Sequence, residues 1–264
     1  MHEIFRFFMK DILRVFMILA VTVMMGSCAS HYHLQGVSRS RIVVDSRYDR
    51  QPDEAAAAFL APYTEKVTST MGAVVGRVAH DMEARRPESD LSNLLSDILL
   101  WASKGYGEQP DFAVYNQGGI RAPLLHGEVT YGDVLDIAPF ENKICFLTLT
   151  GSEVLELFEN MAKRGGEGVS RGVAIVITKD GHLVKAKVNG EPVDPAKNYR
   201  IATIDYLAQG NDGMTAFKKA KNLVAPHEEH NNTRYIIIDY FKEQAAKGIE
   251  VTAKVEGRIV VSEK

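Results

Sequence analysis

Two turn signals, KDG at 179–181 and Asn189–Gly190, cut the stretch after Gly172 into three short apolar runs, VAIVIT, LVKAKV and YRIATI. Asn-Gly accepts positive φ at both central positions, so between apolar runs it marks a tight antiparallel hairpin. A fully parallel sheet has no such hairpins, because helical crossovers join its strands. Helical patterns nevertheless stand both before and after this stretch. Hairpins interleaved with helices point to the α+β class: a single domain with a mixed β-sheet and flanking helices.

The helices announce their own ends. PESDLSNLLSDILLWASKG carries apolar residues at Leu91, Leu94, Leu95 and Ile98, with Ser89 or Asp90 as cap and Gly105 as the expected stop. Thr130 opens a brief helix toward Ala138. Thr150 and Glu153 form a capping box, and the helix they start is expected to end at Gly165–Gly166. Residues 54–68 are Ala-rich and helix-like, with Pro62 as an expected break. TRYIIIDYFKEQAAKG, 233–248, is the last helix. MGAVVGRVA at 71–79, DFAVY, NKICFLTLT and the closing EGRIVV read as strands.

The N-terminus reads differently. Arg6, Lys10 and Arg14 form a basic region, and VFMILAVTVMMGS is an apolar run too short to span a bilayer. It ends in MGSC, whose small residues before Cys28 are similar to the lipobox of bacterial lipoproteins, with Met25 where Leu is commoner. This implies a signal peptide at 1–27, a polar tether at 28–53 and the folded domain at 54–264. Acyl chains on Cys28 then anchor the protein in the bacterial cell envelope, each buried methylene adding about 0.8 kcal/mol. The one other cysteine, Cys145, lies in a strand-like run and is expected to be a buried, inert thiol. A net charge of −3 with no basic stripe argues against a nucleic-acid partner.

The chemistry concentrates in loops. In YNQGGIRAP, 115–123, a strand runs into Gly118–Gly119, where the bare backbone can turn sharply and be approached closely. Asn116 supplies a donor and an acceptor, and Arg121 a planar fork suited to phosphate or carboxylate. Alone, the stretch reads first as a tight turn beside a surface charge. Three others add to it. RRPESDLSNL sets Arg85 and Arg86 just before a helix N-terminus, which favours anions. APFEN places Phe140 in a loop, and DYLAQGNDG places Tyr206 six residues before Asp212. Two loop aromatics can sandwich a planar ring, and a carboxylate can take both hydroxyls of a ribose.

NQGGIR, APFEN, GNDG and EGRI, in this order over residues 65–260, resemble the C-terminal domain of the 5′-nucleotidases. The resemblance implies that domain's fold and its role as the substrate-binding half, which clamps a base between two rings. It implies Phe140 and Tyr206 as the clamp, Asp212 on the ribose hydroxyls, and Asn116 and Asn142 as amides of the nucleoside site. Gly118, Gly119 and Arg121 match the Gly-Gly-Ile-Arg motif, and Arg85 an Arg expected to face phosphate or ribose, with Arg86 as its substitute. The sequence departs from the family's pattern in four respects: Tyr206 stands for a Phe, Asn211 for a Gly, Asp90 and Ser92 for an Asn and a Gly, and Pro87 interrupts the Arg segment.

In that family a separate metallophosphoesterase domain performs the hydrolysis with two metals. The Asp-x-His and Gly-Asn-His stretches such a centre uses are not seen here as a set. Asp180 and His182 sit in the KDGH turn, and His227 and His230 in a polar HEEH segment. No catalytic residue and no metal ligand is assigned. Divalent metals of the Zn or Mn type are expected in a partner subunit instead. Two functions remain open: a nucleotide- or nucleoside-binding lipoprotein working with a separate metallophosphoesterase, or a self-sufficient 5′-nucleotidase or UDP-sugar hydrolase. A scaffold that binds no nucleotide is a third.

Overall fold

The computed structural model describes residues 9, 12–20, 32, 34–47 and 53–262. Cys28 and most of the basic N-terminal region lie outside these. Chain contacts divide the protein into Met1–Ala56 and Ala57–Lys264. The described residues of the first unit are exposed, and 12–20 are helical. Among the described residues no helix is long and apolar enough to cross a membrane.

The second unit is α+β, as expected. Its helices are α1 (Glu54–Met71, entering from the first unit), α2 (Asp90–Ser103), α3 (Tyr131–Ile137), α4 (Gly151–Lys163), the single turn α5 (Asp205–Ala208) and α6 (Thr233–Ala246). Its strands are β1 (Val74–Val78), β2 (Phe112–Tyr115), β3 (Gly127–Thr130), β4 (Ile144–Thr150), β5 (Gly168–Val169), β6 (Val173–Ile177), β7 (Leu183–Val188), β8 (Glu191–Pro192), β9 (Asn198–Ile204), β10 (Lys221–Val224) and β11 (Ile259–Val261). They form a five-stranded sheet in the order β10-β4-β9-β2-β5, a four-stranded sheet β11-β6-β7-β8 and the pair β1-β3.

The central sheet positions the site. β2 and β9 are parallel, with Phe112 opposite Ile201, so their C-terminal ends lie side by side. β4 is antiparallel to β9, with Ile144 opposite Ile204, so its N-terminal end arrives at the same edge. The loops after Tyr115, after Ile204 and before Ile144 therefore converge. Every residue of β2 and the first four of β4 are buried, the pattern of strands covered on both faces. Phe112, Phe146, Phe158 and Phe217 are fully buried in one core with Leu91, Leu95 and Ile98 of α2. Capping boxes hold α2 at Ser89, α3 at Thr130 and α4 at Thr150, each with the reciprocal side-chain bond.

Three local expectations are corrected. α1 runs through Pro62 without a break. No residue of α1 is buried, so water can satisfy the carbonyl that the proline ring leaves without a donor. α2 ends at Ser103, two residues before Gly105, continues as a 3₁₀ turn to Tyr106, and closes on Gly107 in the left-handed region with φ 69°. The Asn189–Gly190 turn has positive φ at both residues, as its sequence requires. However, it returns only as far as the two-residue β8, and YRIATI pairs in the central sheet instead. Pro192 and Pro195 carry no N–H and end the ladder between them.

Candidate functional site

Where the three strand ends converge there is a cleft of about 280 Å³, lined by Asn116, Gly118, Gly119, Arg121, Phe140, Asn142, Tyr206 and Asp212. Eight of the nine residues singled out in the sequence for binding thus meet in one place. The ninth, Arg85, does not line it: it is exposed and pairs with Glu83 at 3.1 Å. Its neighbour Arg86 turns the other way, donating from Nε to the Gly166 carbonyl at 2.8 Å and from Nη2 to Glu167.

Each wall is fixed by its own backbone. After Tyr115 the chain makes a 3₁₀ turn over Gln117–Gly119. Gly118 lies against Asp212, and a Cβ there would stand 3.6 Å from Asp212 Oδ2. A Cβ on Gly119 would meet Asn116 Oδ1 at 2.6 Å, so this position admits no side chain unless Asn116 moves. The Phe140 loop is tied down by Arg234, which donates to the carbonyls of Ala138 at 3.2 Å and Pro139 at 2.8 Å. Tyr206 is not on an open loop: it sits in α5, directly after β9. Gly210 and Gly213 have φ 81° and 75°, and between them Asp212 takes φ 53°, which curls the loop back on itself. Asn211 donates Nδ2 to the Tyr206 carbonyl at 2.9 Å and fastens the curl.

The polar groups are arranged around Asp212. Its Oδ2 accepts Asn116 Nδ2 at 3.0 Å, and its Oδ1 accepts the Tyr206 hydroxyl at 3.3 Å. Partial desolvation, followed by the Asp212 charge and the hydrogen bond to it, raises the Tyr206 phenol above its ordinary value. Asn116 Oδ1 is buried without a hydrogen-bond partner. A buried acceptor left unpaired costs about 1–3 kcal/mol. Arg121 is exposed and donates to the Gly118 carbonyl at 3.3 Å, with its remaining N–H groups available to an anion. Phe140 is 48% and Tyr206 36% exposed, high for large rings outside a core.

Two residues behind this cleft were not foreseen. Glu167 is 1% exposed and receives Arg164 Nε at 2.8 Å, Arg86 Nη2, and the Gln117 backbone N–H at 2.7 Å. The hydrogen bond from Arg164 to Glu167 is the main reason that the Arg164 guanidinium is raised above its usual value. Arg164 Nη2 also stands 3.6 Å from Asp212 Oδ1. The only hint in the sequence was a charge set among glycines, RGGEG. Among the described residues no three His, Cys, Asp or Glu side chains converge as a metal site. His182 faces Glu159 and Asp180 at the surface, and Cys145 is buried with its thiol pushed up to about 12 by desolvation.

A family model, 5′-nucleotidase, C-terminal domain, matches residues 72–219. The chain belongs to this family. Protein UshA of Escherichia coli K12 is 33% identical over 159 residues, 59% of this chain and 29% of that protein. The trifunctional nucleotide phosphoesterase protein YfkN of Bacillus subtilis is 34% identical over 211 residues, 74% of this chain and 14% of that protein. A 5′-nucleotidase precursor from Thermus thermophilus, known as a crystal structure, superposes with a TM-score of 0.68 at 28% identity, over 82% of this chain and 45% of that one. The chain thus spans less than a third of either curated relative.

The crowding at Gly119 gives a test of the 5′-nucleotidase-type cleft. Gly119→Ala is expected to displace Asn116 and weaken ligand binding roughly tenfold, the cost of about one misplaced hydrogen bond. Its melting temperature is expected to fall by only about 2–4 °C, which differential scanning calorimetry checks.

Proposed function

We propose that this chain is the nucleotide- or nucleoside-binding half of a 5′-nucleotidase-type phosphohydrolase. The observation that carries the reading is the convergence of Asn116, Arg121, Phe140, Asn142, Tyr206 and Asp212 on one cleft from three strand ends. Phe140 and Tyr206 stack on the base, Asp212 accepts the ribose hydroxyls, and Arg121 at the rim takes the phosphate. Arg121 orients a phosphate but generates no nucleophile. Hydrolysis needs a cation to polarise the phosphoryl oxygens and to activate a water, and the donor sets found among the described residues do not fit one. In this proposal a separate metallophosphoesterase supplies that step, docked at the Arg121 side. The name of YfkN and the 5′-nucleotidase likeness support the substrate class.

Calorimetric titration of AMP and adenosine into the purified chain is expected to show binding, with no phosphate released from AMP in added Zn²⁺ or Mn²⁺. Adding a lone metallophosphoesterase domain is expected to start release, and Arg121→Ala to slow it without changing that partner's metal content. Chelator-sensitive phosphate release by this chain alone would replace the reading with that of a self-sufficient hydrolase.

The MGSC motif supports a lipid anchor on Cys28. Cys28→Ser is expected to leave the protein unprocessed or to move it out of the membrane fraction, as read by fractionation and mass spectrometry. Normal processing and membrane recovery of that variant would remove the anchor from the proposal.

A further inference from the structure

Arg164 stands between two carboxylates and is bound to only one. Its Nε bonds Glu167 at 2.8 Å, while its Nη2 stays 3.6 Å from Asp212 Oδ1, near enough to feel the charge and too far to donate a hydrogen bond. Glu167 has no other outlet: it is fully buried, and Arg86 and the Gln117 N–H complete its shell. Asp212 is the more exposed of the two, at 20% of its side chain against 0% for Glu167. A guanidinium released from Glu167 would find Asp212 as its nearest carboxylate, and a charge-assisted pair closes to about 2.7–2.9 Å.

We infer that Glu167 is a guard for the cleft: it captures Arg164 and so keeps the lone pairs of Asp212 that Asn116 and Tyr206 leave open available to the ligand. Gln117 adds a second link, because the carboxylate that restrains Arg164 also holds the backbone between Asn116 and Gly118. The Asn116 and Asp212 sides of the cleft are thereby tied to one buried side chain that is not part of its lining. Glu167 is a positioning residue, and Arg164 is the group it positions. The inference rests on the nucleoside reading of the cleft for its binding test, and on geometry alone for its structural test.

Glu167→Gln keeps the shape and an acceptor for the Gln117 N–H but gives up the charge that holds Arg164. In the full chain, titrations of adenosine, guanosine and uridine are expected to show Glu167→Gln weakening the best of the three roughly tenfold, one charged hydrogen bond's worth. Adding Arg164→Met to that variant removes the intruder and is expected to restore affinity to within about threefold. A purely structural role gives two losses that accumulate, so a double variant as weak as Glu167→Gln or weaker overturns the inference. A crystal structure of the ligand-free Glu167→Gln chain decides it independently. Arg164 within hydrogen-bonding distance of Asp212 upholds the guard, and Arg164 left in place or turned to solvent overturns it. If none of the three nucleosides binds the unaltered chain while Arg164 closes in the variant crystal, the nucleoside reading falls and the guard stands.

Discussion

Replacing Glu167 with alanine is expected to lower stability by about 3 kcal/mol, the low end of the cost of breaking a buried ion pair. The carboxylate lies wholly inside, whereas its partners Arg86 and Arg164 are each about a third exposed, at 34% and 33%, and can rehydrate once it is gone. What cannot rehydrate is the Gln117 N–H, which sits in a buried residue and loses its acceptor. For a domain of this size the change corresponds to a drop of roughly 6–12 °C in the melting temperature. Glu156→Ala is the control: its pair with Lys219 is at the surface, and its loss is expected to cost less than about 1 kcal/mol. Thermal melts of the two variants side by side check the difference. Equal losses would mean that the buried carboxylate has no special role in holding the fold.

The contrast between Glu167 and Phe140 shows what was legible in the sequence. Phe140 and Asn142 lie in a loop before β4, and Tyr206 and Asp212 follow directly after β9, so position alone placed them at element ends. Only strand order brings those ends together, and the sequence does not contain the parallel pairing of β2 with β9 in any local pattern. The family resemblance supplied that step. Glu167 had no such help. Its burial depends on Arg86, Gln117 and Arg164, of which the first two are 81 and 50 residues away. The choice between Arg85 and Arg86 was similarly beyond local reading, since adjacent side chains leave the backbone in different directions. Cap chemistry was local and legible at Ser89, Thr130 and Thr150. Pro62 misled because its rule is strict only where no water reaches the unpaired carbonyl.

Removing both rings of the cleft, Phe140→Ala with Tyr206→Ala, is expected to weaken nucleoside binding roughly a hundredfold to a thousandfold, with stacking on an aromatic worth about 1–3 kcal/mol per base. The fold should tolerate the pair. At 48% and 36% exposure neither ring carries the core, and the Phe140 loop keeps its ties to Arg234 through backbone carbonyls that the substitution leaves in place. A melting temperature within about 2 °C of the unaltered chain is therefore expected beside the lost affinity. Tyr206→Phe separates the ring from its hydroxyl. The hydroxyl reaches Asp212 at 3.3 Å, long for such a bond and partly in water, so its loss is expected to cost no more than about threefold. Isothermal titration of the single, double and Tyr206→Phe variants with one nucleoside measures all of these. If the double variant binds as the unaltered chain does, the rings are surface side chains and the base is held elsewhere. If Tyr206→Phe alone abolishes binding, the hydroxyl and its hold on Asp212 matter more than the stack.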